Sequence, residues 1–320
     1  MNNSRMLVIN HINQSNLILQ CRTCFMAQTT KIEYSHPEVL VDTQWVEEHL
    51  NDKDIRIVEV DYDSQANFYL GHIPGSALLD WRKDINDPLT RNILSVEKYV
   101  DVLRKLGIDN VSVTLILYGD FNNWFAAFAF WVFKYYNYPN VKLVNGGRKK
   151  WLEEDRPITK DIVNISEGKY KKSDSFEPNE KIRVYLTNIK EALISRRKFQ
   201  IRLVDVRSPP EYNGEIASPP EYPTEHAQRA GHIPGAHNIP WAKVLNEDGT
   251  FKSAAELSQL YQSENVLPEN EVITYCRIGE RSSHSWFVLT YLLGYPDVKN
   301  YDGSWTEWGN IIGNPIEKQN

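Results

Sequence analysis

The chain has 320 residues, 41% hydrophobic and 24% charged, a globular balance with enough apolar side chains for two domains or one large one. Its net charge of −6, from 36 Lys and Arg against 42 Asp and Glu, argues against a general nucleic-acid binder and leaves room only for a local anion site. Three cysteines cannot build a disulfide framework, which points to a reducing, cytoplasmic setting with free thiols.

Residues 1–37 lack the basic start, continuous apolar stretch and small-residue cleavage site of a secretory signal, and read as a weakly ordered extension. Cys21 and Cys24 within it have metal-type spacing but no second ligand pair, so no metal site is expected. Further on, the apolar run "RIVEVD" (56–61) reads as a strand, and the turn "GHIPGS" begins at Gly71. "VTLILYGD" (113–120) reads as a second, buried strand leading into the helical pattern "NNWFAAFAFWVFKYYNYP", which stops at Tyr-Pro. The apolar run Trp124–Phe133 is about half of the roughly 20 residues that cross a bilayer, so no membrane span is expected. "LVNGGRKKW" (143–151) closes this half, and the stretch 157–182, rich in Lys, Ser, Asp and Glu, reads as a linker.

The same order then recurs. "IRLVDVR" (201–207), "GHIPGA" from Gly231, "EVITYC" (271–276), "SSHSWFVLTYLLGYP" and "KNYDGSWTEW" (299–308) repeat the blocks of the first half. With Gly119 set opposite Cys276, the step to Gly146 equals the step from Cys276 to Gly303, so the repeat holds register without a gap. The second half differs by an insertion, "SPPEYNGEIASPPEYPTEHA", whose prolines and turn residues mark a surface loop. Strands alternating with helical periods imply two α/β domains, 38–156 and 183–320, each a mainly parallel sheet flanked by helices.

In such sheets the working groups sit at the carboxyl ends of strands, where "TYCRIGERSSHSW" places Cys276. A loop entering a helix aims backbone N–H groups and the helix dipole at its mouth, and Arg277 and Arg281 add positive charge. A thiolate there is stabilised, so the Cys276 pKa is expected to fall from about 8.5 towards neutrality, with Glu280 opposing in part. Gly279 permits the backbone twist that turns amides inward, and Ser282 or Ser283 can cap the helix or offer a hydroxyl. The alternative, that Cys276 only fills a core, is weakened by the first half, where Gly119-Asp120 shows that the packing needs no cysteine. His72 and His232 recur in both halves, including the one without a thiol, so they read as turn-stabilising. His284 reads as a helix-face residue. Trp124 and Phe125 are expected to pack into the helix core, with a roof over an interdomain cleft as the other option.

"GHIPGA", "CRIGERS" and "YDGSWTEW", in this order and on a duplicated chain, resemble the rhodanese family, in particular its tandem-domain thiosulfate and 3-mercaptopyruvate sulfurtransferases. The resemblance covers about 38–317. It implies two rhodanese-like domains, the first inactive, and ping-pong sulfur transfer through a persulfide on Cys276 with no cofactor. It further implies that the loop Arg277, Ile278, Gly279, Glu280 and Arg281 binds a small anionic donor, thiosulfate, and that a thiol or cyanide accepts the sulfur. Arg207, in "LVDVR", aligns with a family arginine beside the substrate, and Asp205 reads as the residue that orients an arginine. At Ile278 several thiosulfate-selective relatives carry Lys, and at Arg281 a hydroxyl residue, so a preference for 3-mercaptopyruvate is the alternative. Phosphatases built on the same domain need Cys-x5-Arg, whereas Cys276 to Arg281 is one residue shorter. A sulfur carrier or binding module without turnover is the non-enzymatic alternative.

Overall fold

The computed structural model describes residues 33–195, 200–219 and 227–319. In the first half, β1 (Leu40–Val41), α1 (Thr43–Glu48), β2 (Ile55–Asp61), β3 (Ala77–Asp80), α2 (Val96–Lys105), β4 (Thr114–Tyr118), α3 (Asp120–Tyr135), β5 (Val141–Val144) and α4 (Gly147–Glu153) follow one another. The strands form a sheet of order β1-β5-β4-β2-β3, every pairing parallel, as the alternation of strand and helix signals implies. In the second half come α5 (Leu186–Ile194), β6 (Ile201–Asp205), α6 (Pro209–Asn213), β7 (His237–Asn238), α7 (Ala254–Ser263), β8 (Glu271–Tyr275), α8 (Glu280–Phe287), β9 (Val298–Asn300) and α9 (Ser304–Asn310). Here the order is β7-β6-β8-β9, again all parallel. The repeat read from the chain is also structural, since Glu59 pairs in register with Tyr118 and Asp205 with Tyr275.

The two "GHIPG" turns do the same work in each half. His72 exchanges backbone hydrogen bonds of 2.8 and 2.9 Å with Thr159, and His232 does so with Glu317 at 2.9 and 3.0 Å. Their rings stack on Phe68 and Tyr212 at 3.8 and 3.6 Å, each with Nδ1 against the carbonyl of that residue. His72 thus staples the start of the 157–182 stretch, and His232 the end of the second domain, to its turn.

The stretch 157–182 is irregular, yet it is fastened to the first domain. Gly168 N–H donates to Arg104 O at 2.8 Å, Tyr170 N–H to Ile108 O at 3.1 Å, and the Tyr170 ring meets Tyr99 edge-on. Of the extension 1–37, Tyr34 hydroxyl donates to Lys252 O at 2.8 Å and Ser35 N–H to Leu292 O at 2.9 Å, so its end is docked on the second domain. Cys21 and Cys24 lie outside the described residues. No helix among the described residues is long and apolar enough to cross a membrane.

The apolar run of α3 now has a reason. A helix that is apolar all round must be covered all round, and α3 lies between its own sheet and α8 of the other domain. Phe130 meets Phe287 edge-on at 4.9 Å and Tyr291 at 5.2 Å, so one apolar core runs through both halves. This core sets the β8–α8 corner, and with it Cys276, against the neighbouring domain.

Candidate active site

β8 ends at Tyr275, Cys276 is the next residue, and α8 begins at Glu280, two residues earlier than its sequence pattern indicates. Cys276 is fully buried. Its Sγ accepts the Gly279 N–H at 3.1 Å, and the Ser282 amide also donates to the sulfur. Gly279 must be glycine twice over. Its φ of +105° lies in the left-handed region, and a Cβ there would stand 3.0 Å from the Asp302 Cα.

The loop is locked from behind by the "YDGSWTEW" segment. Ser304 Oγ accepts the Cys276 N–H at 3.1 Å, Trp305 N–H donates to Cys276 O at 3.0 Å, and Thr306 N–H donates to Arg277 O at 3.0 Å. Ser283 Oγ donates to Gly279 O at 2.7 Å and Ser282 Oγ to Asn300 Oδ1 at 2.7 Å. The two serines therefore hold the turn. Because the loop's carbonyls find partners elsewhere, its amides are left facing the sulfur.

Around this turn lies a chain of alternating buried charges. Arg281 donates from both terminal nitrogens to Glu211, at 2.9 and 3.0 Å. Glu280, fully buried, has Oε2 3.5 Å from Sγ and Oε1 3.8 Å from both Arg277 Nη2 and Arg281 Nε. Arg207 donates to Asp205 from Nε and Nη2 and to Gly231 O at 2.7 Å, with its guanidinium 4.6 Å from the Trp305 ring centre. Burial would raise the Glu211 carboxyl, but Arg281 overrides it and holds the group down to about 2.

The expected fall of the Cys276 pKa does not occur in this resting arrangement. Burial pushes the thiol up, the Glu280 carboxylate pushes it further up, and Arg281 with the loop amides only partly offsets them. The reason is that Arg281 is already neutralised by Glu211, while Glu280 faces the sulfur directly.

Cys276, Gly279, Glu280 and Arg281 come together as expected, and Arg277 adjoins them through Glu280. Ile278 buries its side chain and turns its carbonyl to Arg91 of the first domain. Arg207 sits in a buried pair with Asp205, which orients it. His284 lies between Phe251 at 5.0 Å and Trp241 at 6.0 Å, and burial pushes its imidazole down to about 3, so it is neutral. Phe125 packs on Trp81 and Tyr62 in its own domain, whereas Trp124 meets Trp241 edge-on at 4.7 Å and lies 5.6 Å from the Arg281 guanidinium.

Sequence reasoning missed Glu211, because "SPPEYNG" opens the insertion read as a surface loop. The structure corrects this: residues 209–213 form α6, and Glu211 is fully buried. The Ser208 to Glu211 spacing, a capping box in the structure with Ser208 N–H on Glu211 Oε2 at 3.0 Å, was the available signal. Arg91, from the other domain, carries no local signal at all.

A strand, a thiol and a turn of inward amides, duplicated with the thiol kept once, define the class. The family model of the rhodanese-like domain matches residues 42–154 and 188–311. The chain belongs to the rhodanese family, and within it to the tandem-domain sulfurtransferase type. It is 53% identical to the protein named "Sulfur carrier protein TtuD" of Thermus thermophilus, over 89% of this chain and 98% of that one. It is 48% identical to the "Putative thiosulfate sulfurtransferase" of Mycolicibacterium smegmatis, over 88% and 98% of the two chains. Among solved structures it resembles an EanB variant with a cysteine persulfide, in the tetrahedral intermediate state with ergothioneine, at a TM-score of 0.78 and 25% identity over 90% of this chain and 72% of that one.

Proposed function

We propose that the protein moves the outer sulfur of thiosulfate to a thiophilic acceptor through a Cys276 persulfide. The Cys276 thiolate attacks the outer sulfur, the S–S bond of thiosulfate breaks, and sulfite leaves with the electron pair. Cyanide or a thiolate then attacks the outer sulfur of the persulfide and returns Cys276 as thiolate. The observation that carries this reading is the Gly279 N–H at 3.1 Å from Sγ in a turn whose amides converge on the sulfur. Such donors stabilise the anion at each stage without having to reorganise. Arg281 and Arg277 are both engaged with carboxylates, so Arg281 offsets only part of the cost of the anion and the amides hold the anionic sulfur.

Incubation with thiosulfate should add one sulfur atom to the intact protein, removable by cyanide and absent in Cys276→Ser. A wild-type chain that takes up no sulfur sinks the proposal. Ranking kcat/KM for thiosulfate against 3-mercaptopyruvate tests the donor. A second reading, in which the persulfide is passed to a protein thiol in place of free turnover, is favoured by the likeness to the Thermus thermophilus sulfur carrier over nearly the whole chain. Stoichiometric loading without steady-state cyanolysis would select it.

A further inference from the structure

The domain that lacks the thiol reaches into the site of the one that has it. Arg91 stands in the loop after β3, left-handed at φ 59°, with Arg91 N–H donating to Asp87 O at 2.8 Å. Its Nη2 donates to Ile278 O and its Nη1 to Asp302 O at 3.3 Å. Beside it, Arg183 clamps the Asp302 carboxylate at 2.9 and 3.0 Å and donates to Asn92 Oδ1 at 2.6 Å. These residues line a cleft of about 510 Å³ between the two domains, with Ile278 and Asp302 on its far wall.

The bond to Ile278 O has a consequence one atom away. The Ile278–Gly279 peptide is trans, like every described peptide bond, and the C=O and N–H of a trans peptide point in opposite directions from one plane. The edge opposite Ile278 O is the Gly279 N–H, which meets Sγ at 3.1 Å. Gly279 is the residue in this turn whose left-handed backbone lets that plane rotate, so something must hold the rotation.

We propose that Arg91 is a positioning residue that fixes the Ile278–Gly279 peptide plane from across the domain boundary, keeping the Gly279 N–H on the sulfur of Cys276. A guanidinium on the carbonyl also draws electron density towards oxygen and makes the N–H a stronger donor. The proposal rests on the sulfur-transfer reading for its meaning in turnover, but its test does not. Because the other charged groups facing Sγ and its turn, Glu280 and Arg281 directly, and Arg277, Glu211 and Asp302 behind them, are unchanged by an Arg91 substitution, the readout reports what Arg91 supplies, its bond to Ile278 O together with its charge.

The test titrates the Cys276 thiolate by its ultraviolet absorbance in wild type, Arg91→Met and Arg91→Lys, each corrected by the same protein carrying Cys276→Ser. Methionine is an unbranched side chain that removes the donors, together with the guanidinium 5.7 Å from the Trp81 ring centre, and circular dichroism checks that each variant is folded. Arg91→Met should move the midpoint up by about one pH unit, and Arg91→Lys should recover part of the shift. Unchanged midpoints in both variants overturn the proposal, as does an equal shift in Arg91→Met and Arg91→Lys. A protein that shows the shift but takes no sulfur from thiosulfate keeps this inference and loses the proposed reaction. If transfer also occurs, Arg91→Met should lower kcat several-fold with little change in KM.

Discussion

Both halves end their central strand on a buried tyrosine, Tyr118 and Tyr275, whose hydroxyl accepts the N–H of the isoleucine in "GHIPG" at 3.0 and 3.1 Å. Beyond that shared frame the polarity is reversed. In the second half Arg207 is on the strand, bound to Asp205 and lying over Trp305. In the first, Asp61 takes the position of Arg207, and Arg148 takes that of Trp305, reaching Glu59 at 3.0 Å and Asp120 at 3.4 Å. One half surrounds its turn with three arginines that each have a carboxylate, and the other sets one arginine against Glu59 and Asp120 with a third acid, Asp61, buried beside them. Even the space for the nucleophile is gone, since a Cβ at Gly119 would stand 2.5 Å from Val60 O. The scaffold tolerates either arrangement, and the two halves differ by a set of charges as well as by a thiol.

The largest effect that would test this contrast is the paired exchange of the two positions. Cys276→Ser should abolish sulfur uptake, and Gly119→Cys should add no second uptake site while lowering stability, read by intact mass and urea unfolding. A second sulfur atom on Gly119→Cys would break the comparison. Next, Arg207→Met leaves Asp205 buried without its partner and should cost about 3–5 kcal/mol in urea unfolding, with Asp205→Asn in the same chain restoring part of it. A loss below about 1 kcal/mol would show that the pair is not what holds that half.

Glu280→Gln removes a carboxylate 3.5 Å from the sulfur. Burial remains as the main force raising the thiol, but the second one goes, so the alkylation midpoint of Cys276 should fall by about one pH unit. The smallest expected effect concerns the first half. Burial raises Glu59 to about 7 and Asp61 to about 8, whereas in the unfolded chain both ionise near their ordinary values. The native state therefore holds more protons between the two sets of values. Its stability from this source is full below about pH 4 and is lost as the pH rises through about 7–8. The melting temperature should fall as the pH rises through that window, and Asp61→Asn should flatten the slope. A slope unchanged in Asp61→Asn would place its origin elsewhere.

The parts of this molecule that were legible in the chain are those encoded by adjacent residues. Strand runs, the spacing from Gly119 to Gly146 and from Cys276 to Gly303, and the turn at Gly279 are local patterns with local causes. What was not legible depends on partners distant in sequence. Arg281 looks like a free cation in "CRIGERS", and only the fold brings Glu211 to it. The same blindness explains the Cys276 thiol, whose environment depends on burial and on which way Glu280 points. Trp124 and Phe125 are neighbours with the same chemistry, yet they face different domains.

The shared core has a further consequence, for how such a molecule can change over time. Phe130 and Phe287 belong to different copies of an ancestral repeat, but neither surface could be uncovered without exposing a wall of aromatic side chains to water. The copy without the thiol can differ at its own turn, as Gly119 and Asp120 illustrate, but its removal would uncover the shared core. Expressed alone, either half should expose that aromatic wall and aggregate more readily than the whole chain.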